Sequence, residues 1–229
     1  MSAHRLGVAF TPMETRRDVI VATALRAEEL GYEVFSLAEG WAYDATLLLA
    51  TRVVAEHADG WYPLFLTQER LRERAGEIQR LRSGRAPVTV ATGPFTVADA
   101  DPQIARNIAA SCLAWYICAM GDGYAELIAD QGYGEAVQAI RTANPRPSPT
   151  RSVVPPEAEP ALDALTAHGT PTQLRDKLDA WASDVDIQMI VLPAGIPWET
   201  IETTLEAAAG YQVGDNIAAG TSVGCLESR

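Results

Sequence analysis

The first forty residues alternate between short apolar runs and one amphipathic stretch, and this alternation constrains the fold more than any other feature. Residues 6–10 (LGVAF) form an apolar run that is typical of a buried strand. Residues 15–30 carry apolar side chains at helical spacing and end at Gly31, which predicts a helix with a glycine stop. Residues 34–38 form a second apolar run. Strand, helix and strand within so short a length predict a βαβ unit, and such units build parallel sheets.

The same alternation continues to residue 208. Three further strands are predicted at residues 61–66, 88–92 and 187–192. Helices are predicted between and after them at 44–57, 68–82, 101–120, 124–142, 171–183 and 198–208. Five strands, each followed by helix, predict an α/β fold with a parallel sheet and helices on one or both of its faces.

The 229-residue length suits one domain of generous size or two small ones. Residues 143–160 are rich in proline, which predicts an extended linker or surface loop. Thr170 and Gln173 then form a predicted capping box, where a helix resumes. Residues 209–229 show little periodicity. We therefore predict a single domain at 1–208, with its loop at 143–160, followed by a C-terminal tail.

The charge balance excludes several partners. The chain has 30 Asp and Glu against 18 Lys and Arg, a formal net charge of −12. Binding to nucleic acid or to an anionic membrane needs a basic surface, so neither is expected. The longest uncharged stretch, residues 108–121, is too short to span a bilayer, and residues 1–10 have no run suited to a signal peptide. We expect a soluble, cytoplasmic protein.

The common catalytic and metal-binding motifs are missing from the sequence. Three cysteines and three histidines show no CxxC pair, no HExxH and no zinc-ligand spacing, so no metal site is expected. No Walker loop or GxGxxG follows a strand, and no Ser-His-Asp order is present. Hydrolase, NTPase and Rossmann dinucleotide-binding functions therefore have no support.

Several phrases together resemble the bacterial luciferase-like oxidoreductases. They are GVAF from residue 7, AEELGYEVFSLAE from residue 27, ADGWYP from residue 58, and HGTPTQLRDKL from residue 168 followed by the strand at 187–192. Members of that family fold as a TIM barrel and bind a flavin or deazaflavin at the carboxyl ends of the strands. The resemblance therefore implies FMN or coenzyme F420 as cofactor, and hydride transfer or monooxygenation on a small-molecule substrate.

The chain departs from that family in its strand count. A complete (β/α)8 barrel has eight strands in about 250 residues, and only five are predicted here. The second helix and the fifth helix of the family pattern run together near Ala50 and Thr51, so strands three to five are absent. The fold class is therefore a luciferase-like TIM-barrel derivative contracted to about five parallel βα units. Unpaired sheet edges favour pairing with another chain, so a homodimer is one expectation.

Five residues are candidates for the cofactor site. Glu39 ends the second strand, at the catalytic rim of a parallel barrel, and the resemblance implies that it is both catalytic and cofactor-binding. A solvated carboxylate paired with an arginine is an equally good interpretation. Thr11 would bind the cofactor or cap a turn, and Trp41 would wall an aromatic pocket or cover the barrel top. Gly93 and Gly195 follow strands where a backbone would approach a phosphate, although glycine also marks ordinary loops.

Two functional hypotheses follow. The first is a flavin- or F420-dependent oxidoreductase with a contracted barrel. The second is a degenerate member of the same family that folds, as a dimer or alone, but binds cofactor weakly or not at all and has no turnover.

Overall fold

The computed structural model describes residues 5–11, 14, 16–37, 54–56, 58–82 and 84–210. The predicted helix at 44–57 lies outside the described residues except at 54–56, which are helical. Most of the predicted C-terminal tail also lies outside them. The following elements are those of the described residues.

The strands are short and run parallel in one sheet. They are β1 (Leu6–Phe10), β2 (Val34–Leu37), β3 (Gly60–Trp61), β4 (Thr89–Thr92), β5 (Phe95–Ala98), β6 (Thr166–Gly169) and β7 (Ile187–Leu192). The helices are α1 (Arg17–Glu29), α2 (Gln68–Leu81), α3 (Pro102–Ala119), α4 (Asp122–Ile128), α5 (Gly134–Ala143), α6 (Glu159–Leu165), α7 (Pro171–Trp181) and α8 (Trp198–Ala209). A π-helical turn (Ala129–Tyr133) joins α4 to α5, and a 3-10 turn (Pro156–Ala158) precedes α6.

The last strand lies beside the first, as it does in a barrel wound from βα units. The order is β2-β1-β7-β4-β3, and β5 pairs with both β7 and β6. Only Gly93 and Pro94 separate β4 from β5, so this stretch follows β7 along most of its length. Ala91 lies opposite Ile187 near the start of β7, and Phe95 lies opposite Val191 near its end. The parallel α/β half-barrel expected from the sequence is confirmed.

Helices pack on both sides of the sheet because the strand residues alternate between two hydrophobic cores. The outer core contains Val8, Phe10, Ile190 and Leu192 together with buried residues of α1, α7 and α8. The inner core contains Ala9, Met189, Val191, Phe95 and Val97 together with buried residues of α3 to α6. In a complete barrel the helices form only an outer ring. In this chain helices also cover the face that would otherwise point into the barrel.

The sequence predictions for β1 and β7 agree with the structure residue for residue. The predicted strand at 61–66 is wrong, because the strand ends at Trp61 and residues 62–67 form a loop. Pro63 has no N–H to donate to a ladder, and Phe65 has a left-handed φ of 58°. The strands β5 and β6 are additional to the five that were predicted.

The proline-rich stretch at 143–160 is an irregular loop only up to residue 155. A 3-10 turn and the start of α6 occupy its end. The loop is held by side chains: the Asn144 amide donates to the carbonyl of Val153 at 2.8 Å and accepts from its N–H at 2.8 Å. The Ser111 hydroxyl on α3 donates to the carbonyl of Ser152 at 2.8 Å. The loop is therefore a fixed wall beside α3.

No single helix among the described residues is long and apolar enough to cross a membrane. Residues 102–119 and 122–143 reach that length and composition only as a pair, bent by 116°.

Candidate functional site

A cleft opens at the carboxyl end of the sheet, where parallel α/β proteins bind their ligands. Its volume is about 340 Å³. Three segments line it: the first half of α3, the proline-rich loop, and the loop that follows β7. The lining residues are Ile104, Asn107, Ile108, Ser111, Pro149, Thr150, Pro193, Ala194, Gly195, Ile196 and Pro197.

The cleft wall is mainly apolar and has no ionisable side chain among the described lining residues. Its polar side chains are Asn107, Ser111 and Thr150, and two of them already have partners. Ser111 donates to the Ser152 carbonyl, and the Asn107 amide oxygen accepts from Gln103 Nε2 at 2.9 Å. An apolar wall with a few polar groups suits a planar organic ring.

A buried carboxylate joins the start of α1 to the loop after β7. The side chain of Glu14 is only 2% exposed. It accepts hydrogen bonds from the backbone N–H of Arg16 at 2.9 Å, from Arg16 Nε at 3.0 Å and Nη2 at 2.7 Å, and from the N–H of Gly195 at 3.1 Å. Arg16 Nη2 also donates to the carbonyl of Ile196 at 3.0 Å. We call Glu14, Arg16 and Gly195 the Glu14 clasp.

The electrostatics of the clasp favour the ionised carboxylate. Burial raises the pKa of Glu14, but hydrogen bonds from the Arg16 side chain and from the backbone N–H groups of Arg16 and Gly195 outweigh it and lower the pKa to about 2. Glu14 is therefore negatively charged at any physiological pH. Sequence reasoning missed Glu14 and Arg16, and the only signal was an acidic residue two positions before an arginine at the start of a predicted helix.

Thr11 and Gly195 are brought together by this clasp. The N–H of Glu14 donates to the carbonyl of Thr11 at 3.2 Å, and the Glu14 carboxylate accepts from Gly195. Gly195 has a φ of +76°, which favours glycine, and no atom would lie within 4 Å of an added Cβ. Thr11 is 6% exposed, and its side chain lies close enough to the hydroxyl of Tyr116 to lower the pKa of that phenol slightly.

Four rings, which we call the aromatic cluster, fill the inner side of the sheet next to Thr11. The ring centroid of Phe65 lies 5.2 Å from that of Phe95, 4.9 Å from Tyr116 and 5.3 Å from Tyr124. The centroids of Tyr116 and Tyr124 are 5.1 Å apart with the rings perpendicular. Burial raises the pKa of Tyr116 and outweighs the opposing effect of Thr11, so the phenol stays neutral. This part of the sheet is packed by the chain's own side chains.

Gly93 does not line the cleft. A Cβ at this position would lie 1.9 Å from the carbonyl oxygen of Met189, so the backbones of β4–β5 and β7 touch there. That contact requires glycine whether or not a ligand binds. Glu39 and Trp41, the other two candidate residues, lie outside the described residues.

One histidine is buried in the described part of the chain. His168, in β6, is 9% exposed, and its Nδ1 lies 2.9 Å from the Thr166 hydroxyl. Burial, with a contribution from the Lys177 ammonium, lowers the pKa of His168 to about 4, so the imidazole is neutral near pH 7. No group of three or more His, Cys, Asp or Glu side chains in the described residues is arranged to hold a metal ion.

The sequence profile of the luciferase-like monooxygenase family matches residues 49–186 of this chain. The match covers more than half of the 229 residues. The chain therefore belongs to the luciferase-like monooxygenase family, as the sequence resemblance implied, and its half-barrel is a contracted form of the luciferase-like TIM barrel. No curated protein matches the sequence.

Three solved structures are similar to this chain, and the first of them supports the fold. The F420-dependent tetrahydromethanopterin reductase from Methanopyrus kandleri aligns with a TM-score of 0.52 and 15% identity over 77% of this chain and 49% of that one. The monooxygenase RslO1 from Streptomyces bottropensis aligns at 0.42 and 15% identity, over 79% and 47% of the two chains. EDTA monooxygenase from Chelativorans sp. BNC1 aligns at 0.41 and 14% identity, over 79% and 46%. The chain thus spans about half the length of these structures.

Proposed function

We propose that this chain is an oxidoreductase of the luciferase-like class that binds the ring of a reduced flavin or of coenzyme F420 in the cleft at the end of β7. The reaction is monooxygenation or hydride transfer on a small organic substrate. Family membership supports the class of chemistry. The position of the apolar cleft, at the carboxyl ends of β7 and β5, is the observation that carries the assignment of the site.

The described residues fit one part of such a cofactor better than the other. The isoleucines and prolines of the cleft suit the flat face of an isoalloxazine or deazaflavin ring, and Asn107 and Thr150 offer polar contacts at its edge. A phosphate needs free N–H donors or a cation, but the described lining of the cleft has no cation and the Gly195 N–H already binds Glu14. The cleft fits the ring and does not fit the phosphate.

The roles of the chain's own residues follow from this fit. The cofactor would supply the redox chemistry, while the protein orients the ring and excludes water from it. The loop at 193–197 and the first half of α3 form the two walls that would hold the ring. Glu39, at the end of β2 in the sequence, remains our candidate for the catalytic carboxylate.

The test is titration of the purified protein with FMN and, separately, with F420. Binding is measured as quenching of the fluorescence of each cofactor. We expect saturable binding of at least one of them at micromolar concentrations. Ala194→Trp places an indole in the cleft and is expected to abolish that binding. Ala180→Trp, on the exposed side of α7, is the matched control and should bind as the unchanged protein does. Equal binding by both variants would place the cofactor elsewhere.

The degenerate, non-catalytic member of the family is the second candidate, and one observation favours it. Glu14 occupies the Gly195 N–H and part of the Arg16 guanidinium, and the described lining of the cleft has no cation, so a cofactor phosphate would find few donors there. Absence of binding for every flavin and deazaflavin tested, by a protein shown to be folded, would support this candidate over the enzyme. A homodimer formed through unpaired strand edges also remains a proposal, which sedimentation would test.

A further inference from the structure

One side chain of the cleft wall offers a ligand only hydrogen-bond donors. Asn107 is an exposed lining residue, and its amide oxygen accepts from Gln103 Nε2 at 2.9 Å. Its Nδ2 donates to no residue in the part of the chain that the structure describes, so both N–H groups are available to a ligand. Ser111, which also lines the cleft, is 6% exposed and already donates to the Ser152 carbonyl.

Gln103 fixes the direction in which the Asn107 amide points. The two residues lie one helical turn apart on the same face of α3, where side chains at this spacing meet. An amide accepts through its oxygen and donates through its nitrogen, so the bond from Gln103 to the oxygen turns the N–H groups of Asn107 away from Gln103. Gln103 itself does not line the cleft. It is therefore a positioning residue.

We propose that Asn107 determines specificity in the cleft by donating from Nδ2 to a carbonyl oxygen at the edge of the ligand's ring. Gln103 holds the amide in the orientation that makes this contact. The inference rests on the proposed function, because it concerns the same cleft. It defines the ligand class as a planar, uncharged ring with a carbonyl at its edge, in preference to a ring that carries amino groups there.

The apolar surroundings make this contact selective. Ile108 and Ile196 pack against the face of a ring whatever groups its edge carries, because burial of apolar surface is not directional. A carbonyl oxygen that leaves water for such a cleft costs free energy unless it finds a donor, and Asn107 supplies one. An amino group in the same place would meet another N–H donor and leave both unpaired.

The test compares two fluorescent tricyclic rings, lumiflavin and 2,3-diaminophenazine, by fluorescence titration of the full chain. Both are uncharged near neutral pH and carry no phosphate, but lumiflavin has carbonyls where diaminophenazine has amino groups. Asn107→Leu removes the donor and keeps a side chain of similar length. We expect lumiflavin to bind this variant about fivefold more weakly, while the affinity for diaminophenazine changes by less than about twofold.

Gln103→Glu tests the positioning role with almost no change of shape. A carboxylate accepts but does not donate, so it should bond Asn107 Nδ2 and turn the amide oxygen towards the cleft. A negative charge in the first turn of α3 also favours the helix. We expect the ratio of lumiflavin affinity to diaminophenazine affinity to fall about tenfold. In the Asn107→Leu background the same substitution should leave this ratio unchanged, because Gln103 acts through Asn107.

Gln138→Glu is the matched control. Gln138 is also an exposed glutamine on a helix, α5, but it does not line the cleft. The substitution adds the same charge to the chain, so the ratio of the two affinities should stay as in the unchanged protein.

The outcomes separate this inference from the proposed function. If lumiflavin binds and a folded Asn107→Leu leaves its affinity unchanged, or weakens both rings equally, Asn107 does not select a carbonyl, but the proposed function stands. An effect of Gln103→Glu that persists in the Asn107→Leu background would overturn the positioning role. If neither lumiflavin nor FMN nor F420 binds, the proposed function is overturned and this inference with it.

Discussion

The two halves of α3 lie in different surroundings. Its first half forms a wall of the cleft, where Ile104 is 47% exposed. Its second half carries Tyr116 into the aromatic cluster, where Phe65 and Phe95 are 5% and 1% exposed. One helix thus borders both an open and a closed part of the same sheet.

The aromatic cluster is therefore expected to contribute to folding stability, and the cleft to ligand binding. The ring contacts of the aromatic cluster are made within the chain, so they contribute to folding, and any ligand there would have to displace them. The cleft wall has apolar side chains that are not fully covered, so a ligand can still gain by burying them. Phe65 also has a left-handed φ of 58°, a strained conformation for a bulky residue that its packing in the cluster stabilises.

The largest effect is expected from Phe95→Ala in the aromatic cluster. Phe95 is buried against two rings of the cluster, so its loss should leave a cavity and lower the free energy of unfolding by about 3 to 5 kcal/mol. Ile104→Ala, on the cleft side of α3, should cost less than about 1 kcal/mol because the side chain is half exposed. Urea denaturation measures both. Similar losses for the two variants would contradict the distinction between a closed and an open region.

Acid should affect the two regions in different pH ranges. Burial lowers the pKa of His168, in β6 beside the closed region, from 6.5 to about 4. Between these values the unfolded chain binds a proton that the folded chain does not. Stability therefore falls as the pH falls from 6.5 to 4, by up to about 3 kcal/mol. Unfolding free energies measured across this range should show the loss.

The Glu14 clasp titrates lower. The folded pKa of Glu14 is about 2 against an ordinary 4.5, so its stabilisation is complete above pH 4.5 and is lost as the pH falls towards 2. His168→Gln should therefore reduce the loss of stability between pH 6.5 and 4.5, while Glu14→Gln should leave the loss in that range unchanged. The opposite pattern would show that the buried imidazole is not the group responsible.

The central strands of the sheet could be predicted from sequence because local pattern and burial agree there. Residues 6–10 and 187–192 are continuous apolar runs bounded by turn residues, and both became fully paired parallel strands. Strand β6 has the sequence TAHG, in which histidine and glycine give no strand pattern. It is extended because it pairs with β5 and is buried by α3 and α7. Tertiary contacts decided this segment.

The site was less predictable than the sheet. Gly195 was a candidate because glycine after a strand marks a loop where a backbone can approach a ligand; it lines the cleft, and its cofactor role stays a prediction. Glu14 was missed because its partner Gly195 lies 181 residues away in the sequence. The sequence also did not predict that the proline-rich loop lines the cleft. That loop is held beside α3 by the hydrogen bond from Ser111 to Ser152, two residues that meet only after folding. Both contacts depend on the arrangement of distant segments.

A smaller effect is expected from Gly93→Ala, at the junction between β4 and β5. The added Cβ would overlap the carbonyl oxygen of Met189, so the two backbones must move apart, at a cost of about 1 to 3 kcal/mol. Gly76, in α2, has no atom within 4 Å of an added Cβ, and Gly76→Ala should gain up to about 1 kcal/mol through helix propensity. Thermal unfolding of the two variants gives the comparison. A neutral Gly93→Ala would mean that the strands are not in close contact there.

The smallest effect is expected from Ser111→Ala, which removes a hydrogen bond between α3 and the proline-rich loop. Ser111→Ala removes the hydrogen bond from α3 to the Ser152 carbonyl, at a cost of about 1 kcal/mol. This bond fixes the loop that carries Pro149 and Thr150. Ring ligands should therefore bind a few-fold more weakly to Ser111→Ala, although the other lining residues are unchanged. Thr142→Ala removes a hydroxyl that bonds only within α5 and should change neither stability nor binding measurably. Unchanged ligand affinity in Ser111→Ala would show that this hydrogen bond to the proline-rich loop does not contribute to ligand binding.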